Sequence, residues 1–348
     1  VTPRRATPGT AAPTSVPRAS LRLLGLAALA AALVLLALLS LALGSRDVAP
    51  FEAYRVLTDP AAGADATVIR EMRLPRTLLA IAVGAALAVS GAILQGLARN
   101  PLADPGVLGI NAGAAVAVVT TAFVFGAMPV AGSVWFAFLG AGAATVAVYA
   151  IASVGRDGPT PVKLALAGAC LTALCGSVTS ALVLADPDAL EELRMWQVGA
   201  LGGRYFPVLT QVLPFLAVGL VAALFAGRML NLLSLGDDLA RGLGLRTGMA
   251  RSALFAIVAV LCGAATAACG PIVFVGLMVP HAARLVTGPD YRWILAYSAL
   301  LGPILLLGAD IIGRLVLPGG EVPVGVVVGV LGAPAFVLLV RFRRLVEI

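Results

Sequence analysis

Ten apolar stretches, each about 17 to 25 residues long, follow one another along the chain with only short polar breaks: 21–44, 75–96, 106–126, 131–153, 162–186, 205–226, 250–269, 271–287, 292–312 and 322–341. A helix needs roughly 20 apolar residues to cross the hydrocarbon core of a bilayer, so this pattern predicts an all-α polytopic membrane protein with ten transmembrane helices. The 348 residues are 60% hydrophobic and 12% charged, about half the charge of an ordinary soluble domain, which excludes a water-soluble fold and leaves no room for a sizeable soluble domain. The division is therefore a tail over 1–20, read as disordered and cytoplasmic, and a single permease domain over 21–348. A secretory signal is the alternative for the first run, but 23–43 is too long for a typical signal core.

Charge supplies the orientation. With the N-terminus inside and ten crossings, both termini are cytoplasmic and 16 of the 24 Lys and Arg residues fall inside with 6 of the 17 acids, against 8 basic and 11 acidic residues outside. The balance is +10 inside (16 − 6) and −3 outside (8 − 11), the positive-inside asymmetry. The formal net charge of +7 is thus a topology marker. It forms no basic stripe with interleaved aromatics, and no nucleic-acid partner is expected.

Single residues exclude much chemistry. Lys163, the only lysine, stands in no phosphate-cradling G-x-x-x-x-G-K-[ST] loop, so the chain has no P-loop of its own. His281, the only histidine, excludes a His-x-x-x-His zinc motif. Cys170, Cys175, Cys262 and Cys269 lie in apolar runs at spacings of no zinc knuckle and read as packing residues. No metal, cofactor or catalytic constellation is expected.

Several segments carry more than spanning requires. Gly227 to Ala250 is the longest inner loop, with the functional part over 228–249. In Leu235-Gly236-Asp237-Asp238-Leu239-Ala240-Arg241-Gly242-Leu243-Gly244-Leu245 the acids suit a helix start, Leu239 and Leu243 are four apart, and the glycines end the helix within two turns. So short a helix is marginal alone and has to dock its leucines, either on the bundle's inner surface or on a separate cytoplasmic protein. Arg73-Leu74-Pro75-Arg76 places two exposed arginines at the outer surface, against the orientation rule, where snorkelling at the headgroups is one reason. Asp310 and Arg314 share a helix face and can pair, although an acid in a span also suits a proton carrier. His281 is placed at the inner end of the eighth span. Ala165, Ala169, Ala173 and Ser177 in the fifth span, and Gly325, Gly329 and Ala333 in the tenth, form small-residue faces that either pack within the bundle or line a pathway or subunit interface.

The stretch Arg73-Leu74-Pro75-Arg76 through Gly84, Ser90-Gly91, Gln95 and Arg99-Asn100-Pro101-Leu102-Ala103-Asp104-Pro105 resembles the signature of FecCD-type permeases. A second block agrees: Gly270-Pro271-Ile272-Val273-Phe274-Val275-Gly276, Pro280-His281, Ala309-Asp310, Arg314, Glu321-Val322-Pro323-Val324-Gly325 and Gly332-Ala333-Pro334. These permeases are the multi-pass subunits of bacterial ATP-binding-cassette importers for ferric siderophores, haem and cobalamin, in the cytoplasmic membrane. The resemblance implies ten helices per subunit, a homodimer or heterodimer of permeases, and a pathway lined by helices five and ten. It implies two ATPase subunits that receive Leu235 to Leu245 as a coupling helix and hold the ATP. It also implies an extracytoplasmic binding protein whose acids meet Arg73, Arg76 and Arg314. Iron-siderophore translocation by alternating access is the expected function. Haem or cobalamin transport and an ion-coupled carrier using Asp310 are the alternatives.

Overall fold

The computed structural model describes residues 18–44, 65–126, 128–155, 160–317 and 320–342. Among them there is no strand. The helices are α1 (Arg18–Ala42), α2 (Leu74–Ala98, entered through a π-helical turn at Val68–Arg73), α3 (Ile110–Phe125), α4 (Val130–Ala152), α5 (Pro161–Ala185), α6 (Pro187–Gln197), α7 (Phe206–Ser234), α8 (Asp237–Gly242), α9 (Thr247–Cys269), α10 (Val275–Thr287), α11 (Tyr291–Leu315) and α12 (Val324–Phe342). Seven helical segments are long and apolar enough to cross a bilayer, and Ile110–Phe125 and Val324–Val337 are shorter apolar helices.

Most of the tail expectation lies outside the described residues; its last part, Arg18 to Ser20, is the first turn of α1. Local chemistry sets several helix starts. The Thr160 side chain accepts from the Lys163 N–H at 3.3 Å ahead of Pro161, Asp186 from the Asp188 N–H at 3.0 Å ahead of Pro187, and Asp290 from the Arg292 N–H at 3.0 Å.

The centre of the bundle is α2, with 83% of its most apolar window buried, against 6% for α1 and 17% for α5. The apolar faces of those two helices are thus left to lipid or to another chain. Two glycines let α2 take that position. A Cβ on Gly84 would stand 2.8 Å from the backbone of Gly302 in α11, and one on Gly91 would collide with the Gly276 backbone in α10. Bare backbone on both sides permits this approach.

Three boundaries differ from the sequence reading. α7 continues to Ser234, so the first seven residues assigned to the loop 228–249 are helix, because Leu230 and Leu233 remain buried on the core face. α6 was not expected. Its mean polarity hides it from a hydropathy scan, yet Ala189, Leu193 and Trp196 recur at helical spacing and are buried. The eighth span is not a 17-residue helix. α10 has 13 residues, roughly 20 Å at 1.5 Å per residue, and the non-helical strip Gly270 to Phe274 leads into it. His281 accordingly sits mid-helix and is buried, while Arg284 occupies the last turn.

Candidate functional site

Tyr291 and Arg314 lie at opposite ends of α11, on the order of 30 Å apart. They mark two ends of the molecule, each with its own charged cluster.

At the Tyr291 end, the short helix α8 is held by one carboxylate. Asp237 Oδ1 accepts from Arg99 Nη2 at 2.9 Å and from Arg251 Nη2 at 2.9 Å, tying the start of α8 to the end of α2 and the start of α9. Arg99 also donates to the Leu233 carbonyl at 2.6 Å. Gly236 (φ 104°) makes the turn before α8, and Gly244 (φ 85°) the turn after it, closed by Leu245 N–H to Ala240 O and Gly244 N–H to Arg241 O, both at 2.9 Å. Asp238 and Arg241 pair at 3.4 Å on the exposed face. Ala240 is buried, but Leu235, Leu239 and Leu243 are 53%, 62% and 62% exposed. Of the two docking surfaces the sequence left open, the bundle's own inner face is therefore not the one used by Leu239 and Leu243. The helix that carries them is anchored through Asp237, and their apolar surface is uncovered.

At the Arg314 end, Arg73 and Arg76, both expected at the surface, are turned inward together with Arg314. Arg73 Nη1 donates to the carbonyls of Leu41 and Ala42 at 2.8 Å each, and Arg314 Nη1 to those of Ser40 and Leu43 at 2.9 Å each. With the Leu43 N–H on Leu39 O, the last four carbonyls of α1 are all satisfied, which explains why guanidinium groups are buried here. Asp310, 1% exposed, is gripped by Arg76 at 2.8 Å and by Arg314 at 3.1 Å, and Arg76 reaches on to Glu321 at 2.7 Å. The Asp310–Arg314 pair is the one its spacing predicted. Arg76 was not foreseen as its second partner, being 234 positions away. The exposure expected of Arg73 and Arg76 is corrected: Arg73 and Arg314 are buried, and the Arg76 side chain is 14% exposed.

The small-residue faces divide. Ala165, Ala169, Ala173 and Ser177 are all exposed, so that face of α5 is left largely uncovered by the described residues. On α12, Gly325 packs against the backbone of Val198 and Gly199 and donates its N–H to Gly199 O at 2.9 Å, Gly329 faces open space, and Ala333 is half-buried. In the α2–α3 connection, Asn100 Oδ1 accepts from the Leu102 N–H at 2.9 Å and Asp104 Oδ1 from the Gly106 N–H at 2.7 Å. Burial pushes the Asp104 carboxyl above its ordinary range, against the Gly106 hydrogen bond, which pulls it down. The four cysteines are free thiols, and the described residues contain no cluster of three or more metal-ligating side chains.

The model of the FecCD transport family matches residues 32–342, which takes in both clusters. The chain belongs to the FecCD transport family. A siderophore transport system permease of Bacillus subtilis (strain 168) is 42% identical over 290 residues, covering 83% of this chain and 87% of its own. The ferric enterobactin transport system permease of Escherichia coli (strain K12) is 44% identical over 302 residues, covering 86% and 89%. A solved structure described as an inward-facing conformation of a metal-chelate type ABC transporter superposes with a TM-score of 0.79 at 27% identity, over 91% of this chain and 98% of the other. The FecCD motif glycines Gly84, Gly91 and Gly276 are those that bring α2, α10 and α11 together, and the motif residues Arg76, Asp310, Arg314 and Glu321 are one ionic cluster.

Proposed function

We propose that this chain is the membrane-spanning permease subunit of an ATP-binding-cassette importer in the bacterial cytoplasmic membrane, passing an iron-siderophore-type chelate inward by alternating access. The relatives' names and family support the cargo class. Ten segments cross the membrane with both termini inside, the crossing at α10 being a short helix preceded by the non-helical, partly buried strip Gly270 to Phe274, a form tolerated where protein surrounds it. The Tyr291 end then faces the cytoplasm and the Arg314 end the outside.

The observation that carries the proposal is the anchored, uncovered leucine pair of α8. A six-residue helix anchored through Asp237 and presenting Leu239 and Leu243 transmits force to or from whatever covers them, and each of two ATPase subunits would take one such helix. ATP is bound and hydrolysed there, outside this chain. A second permease subunit covers the exposed small face of α5 and the open Gly329 side of α12, with the pathway between them, and lipid covers the rest. The outer binding protein docks at the Arg314 end, on a surface whose shape Arg73, Arg76 and Arg314 hold from within.

The ion-coupled alternative loses support from geometry: both carboxylate oxygens of Asp310 are engaged, and neutralising it would leave the buried Arg314 without its ion-pair partner and Arg76 with Glu321 alone. The experiment is ATP-driven uptake of a radio-iron siderophore in proteoliposomes containing the assembled transporter. Leu239→Asp is expected to lower uptake at least roughly tenfold, a loss of about 1.4 kcal/mol or more in coupling, while assembly in the membrane is retained. Unchanged uptake would remove the docking role from α8.

A further inference from the structure

Around the turn between α10 and α11, at the Tyr291 end, four guanidinium groups gather with little acid beside them. The start of α1 is pinned there: the Tyr297 hydroxyl donates to the Arg22 carbonyl at 2.8 Å, and a Cβ on Gly25 would collide with that hydroxyl, so glycine is what lets the tyrosine in. The Arg22 side chain then lies over Trp293, its Cζ 5.6 Å from the ring centroid, with Nη2 3.8 Å from where a Cβ on Gly288 would stand. On the other side, Gly227 of α7 packs on Arg292, a Cβ there standing 3.0 Å from Arg292 Cα, and Arg228 follows it. Asn231 fastens α7 to the same turn, donating to Asp290 at 2.7 Å and accepting from the Tyr291 N–H at 2.9 Å. Arg284 is buried at 4% exposure, its Cζ 5.7 Å from the Tyr291 ring centroid and its Nη1 enclosed without a partner.

None of Arg22, Arg228, Arg284 and Arg292 pairs with a carboxylate among the described residues. Asp290, the acid of this turn, is engaged by Asn231 and by the Arg292 N–H, and the four arginines against it leave a surplus of three positive charges (4 − 1). Arg228 and Arg292 are exposed and Arg22 is half-buried, so the charge can be reached. Apolar surface adjoins it: Leu21, Leu23 and Leu24 of α1 and Val286 of α10 are exposed, and only 6% of the most apolar window of α1 is buried. A free anion would use the arginines and leave the leucines bare. A molecule with a phosphate at one end and acyl chains at the other covers both, and tryptophan beside arginine at the end of a span marks the depth of a headgroup.

We propose that this turn is a binding site for an anionic phospholipid, its phosphate held by Arg22 and Arg292 beside Trp293, its acyl chains lying along α1, and Arg228 and Arg284 adding attraction. The importer reading supplies only the leaflet, the inner one.

The test uses the permease assembled with its ATPase subunits, purified in mixed micelles holding equal amounts of phosphatidylglycerol and phosphatidylcholine. Native mass spectrometry reads which lipid is retained, at low and high salt, and inorganic phosphate is added as competitor. Wild type is expected to retain phosphatidylglycerol over phosphatidylcholine, less so at high salt, with inorganic phosphate a poor competitor. Arg22→Gln combined with Arg292→Gln should lower retention at least roughly tenfold, and the same pair changed to Lys should retain an intermediate amount, because the charge stays while the planar fork is lost. Arg246→Gln removes another exposed inner arginine away from this turn and should retain as much as wild type. Equal retention of the two lipids by wild type overturns the site without any variant. So does equal loss in Arg246→Gln, which would mean diffuse attraction to the whole inner face, or displacement by inorganic phosphate as effective as by phosphatidylglycerol, which would mean a free-anion site. Uptake is not read, so a transporter that retains the lipid but moves no siderophore would sink the importer reading and leave the lipid site standing.

Discussion

Asp310 is the residue on which competing accounts of this chain diverge. As the carboxylate shared by Arg76 and Arg314 it is structural, and Asp310→Asn should destabilise the protein by about 3–5 kcal/mol, because the buried Arg314 loses its ion-pair partner and Arg76 is left with Glu321 alone. Equilibrium unfolding in mixed micelles measures this. A variant as stable as wild type but inactive would instead point to a carrier acid. Half of this cluster was legible in the sequence: Asp310 and Arg314 are one helical turn apart, whereas Arg76 joins through tertiary packing that no local spacing encodes. The surface exposure read for Arg73 and Arg76 failed for the same reason. The acceptors of Arg73 are carbonyls at the end of α1, and backbone carbonyls leave no trace in composition. Asp104 offers a second residue-scale prediction. Its carboxyl is raised by burial in the fold, so the folded state favours the proton, and the associated stability is present below the ordinary Asp range and is lost as pH rises through the raised value. Asp104→Asn keeps an acceptor for the Gly106 N–H without the charge. It should therefore be the more stable form at neutral pH and converge on wild type below about pH 4, as followed by thermal unfolding across pH. Parallel curves would contradict this.

Among elements, the helices that were misread share a cause. A scan for long apolar runs finds α2, α9 and α11 readily, since apolar length alone defines them. It passes over α6, whose buried face is three residues, and it overextends α10, where Gly270-Pro271 ends one helix but does not begin the next until Val275. The close packing of α2 on α11 was visible only as glycines within a motif, without a partner. It makes a paired prediction. Gly84→Val places branches against the Gly302 backbone, which cannot yield, and should cost at least about 3 kcal/mol or prevent insertion, whereas Gly329→Val meets nothing within 4 Å and should leave subunit stability unchanged. Equal stabilities of the two variants in mixed-micelle unfolding would show that the α2–α11 approach is not tight.

For the whole molecule, charge and hydropathy anticipated an all-helical membrane protein, and the family motifs anticipated what it is part of. What one chain cannot encode alone is seen in its uncovered surfaces: the α5 face bearing Ala165 to Ser177 and the leucines of α8. In the proposed importer these are surfaces that other proteins cover, and the chain is a gate moved from outside itself. Uphill uptake of a ferric siderophore into proteoliposomes, with the ATPase subunits either present or withheld and with ionophores collapsing every ion gradient, tests this most directly. Uptake that requires the ATPase and ATP and survives the ionophores is the predicted result; accumulation by the permease alone, abolished by the ionophores, would contradict it.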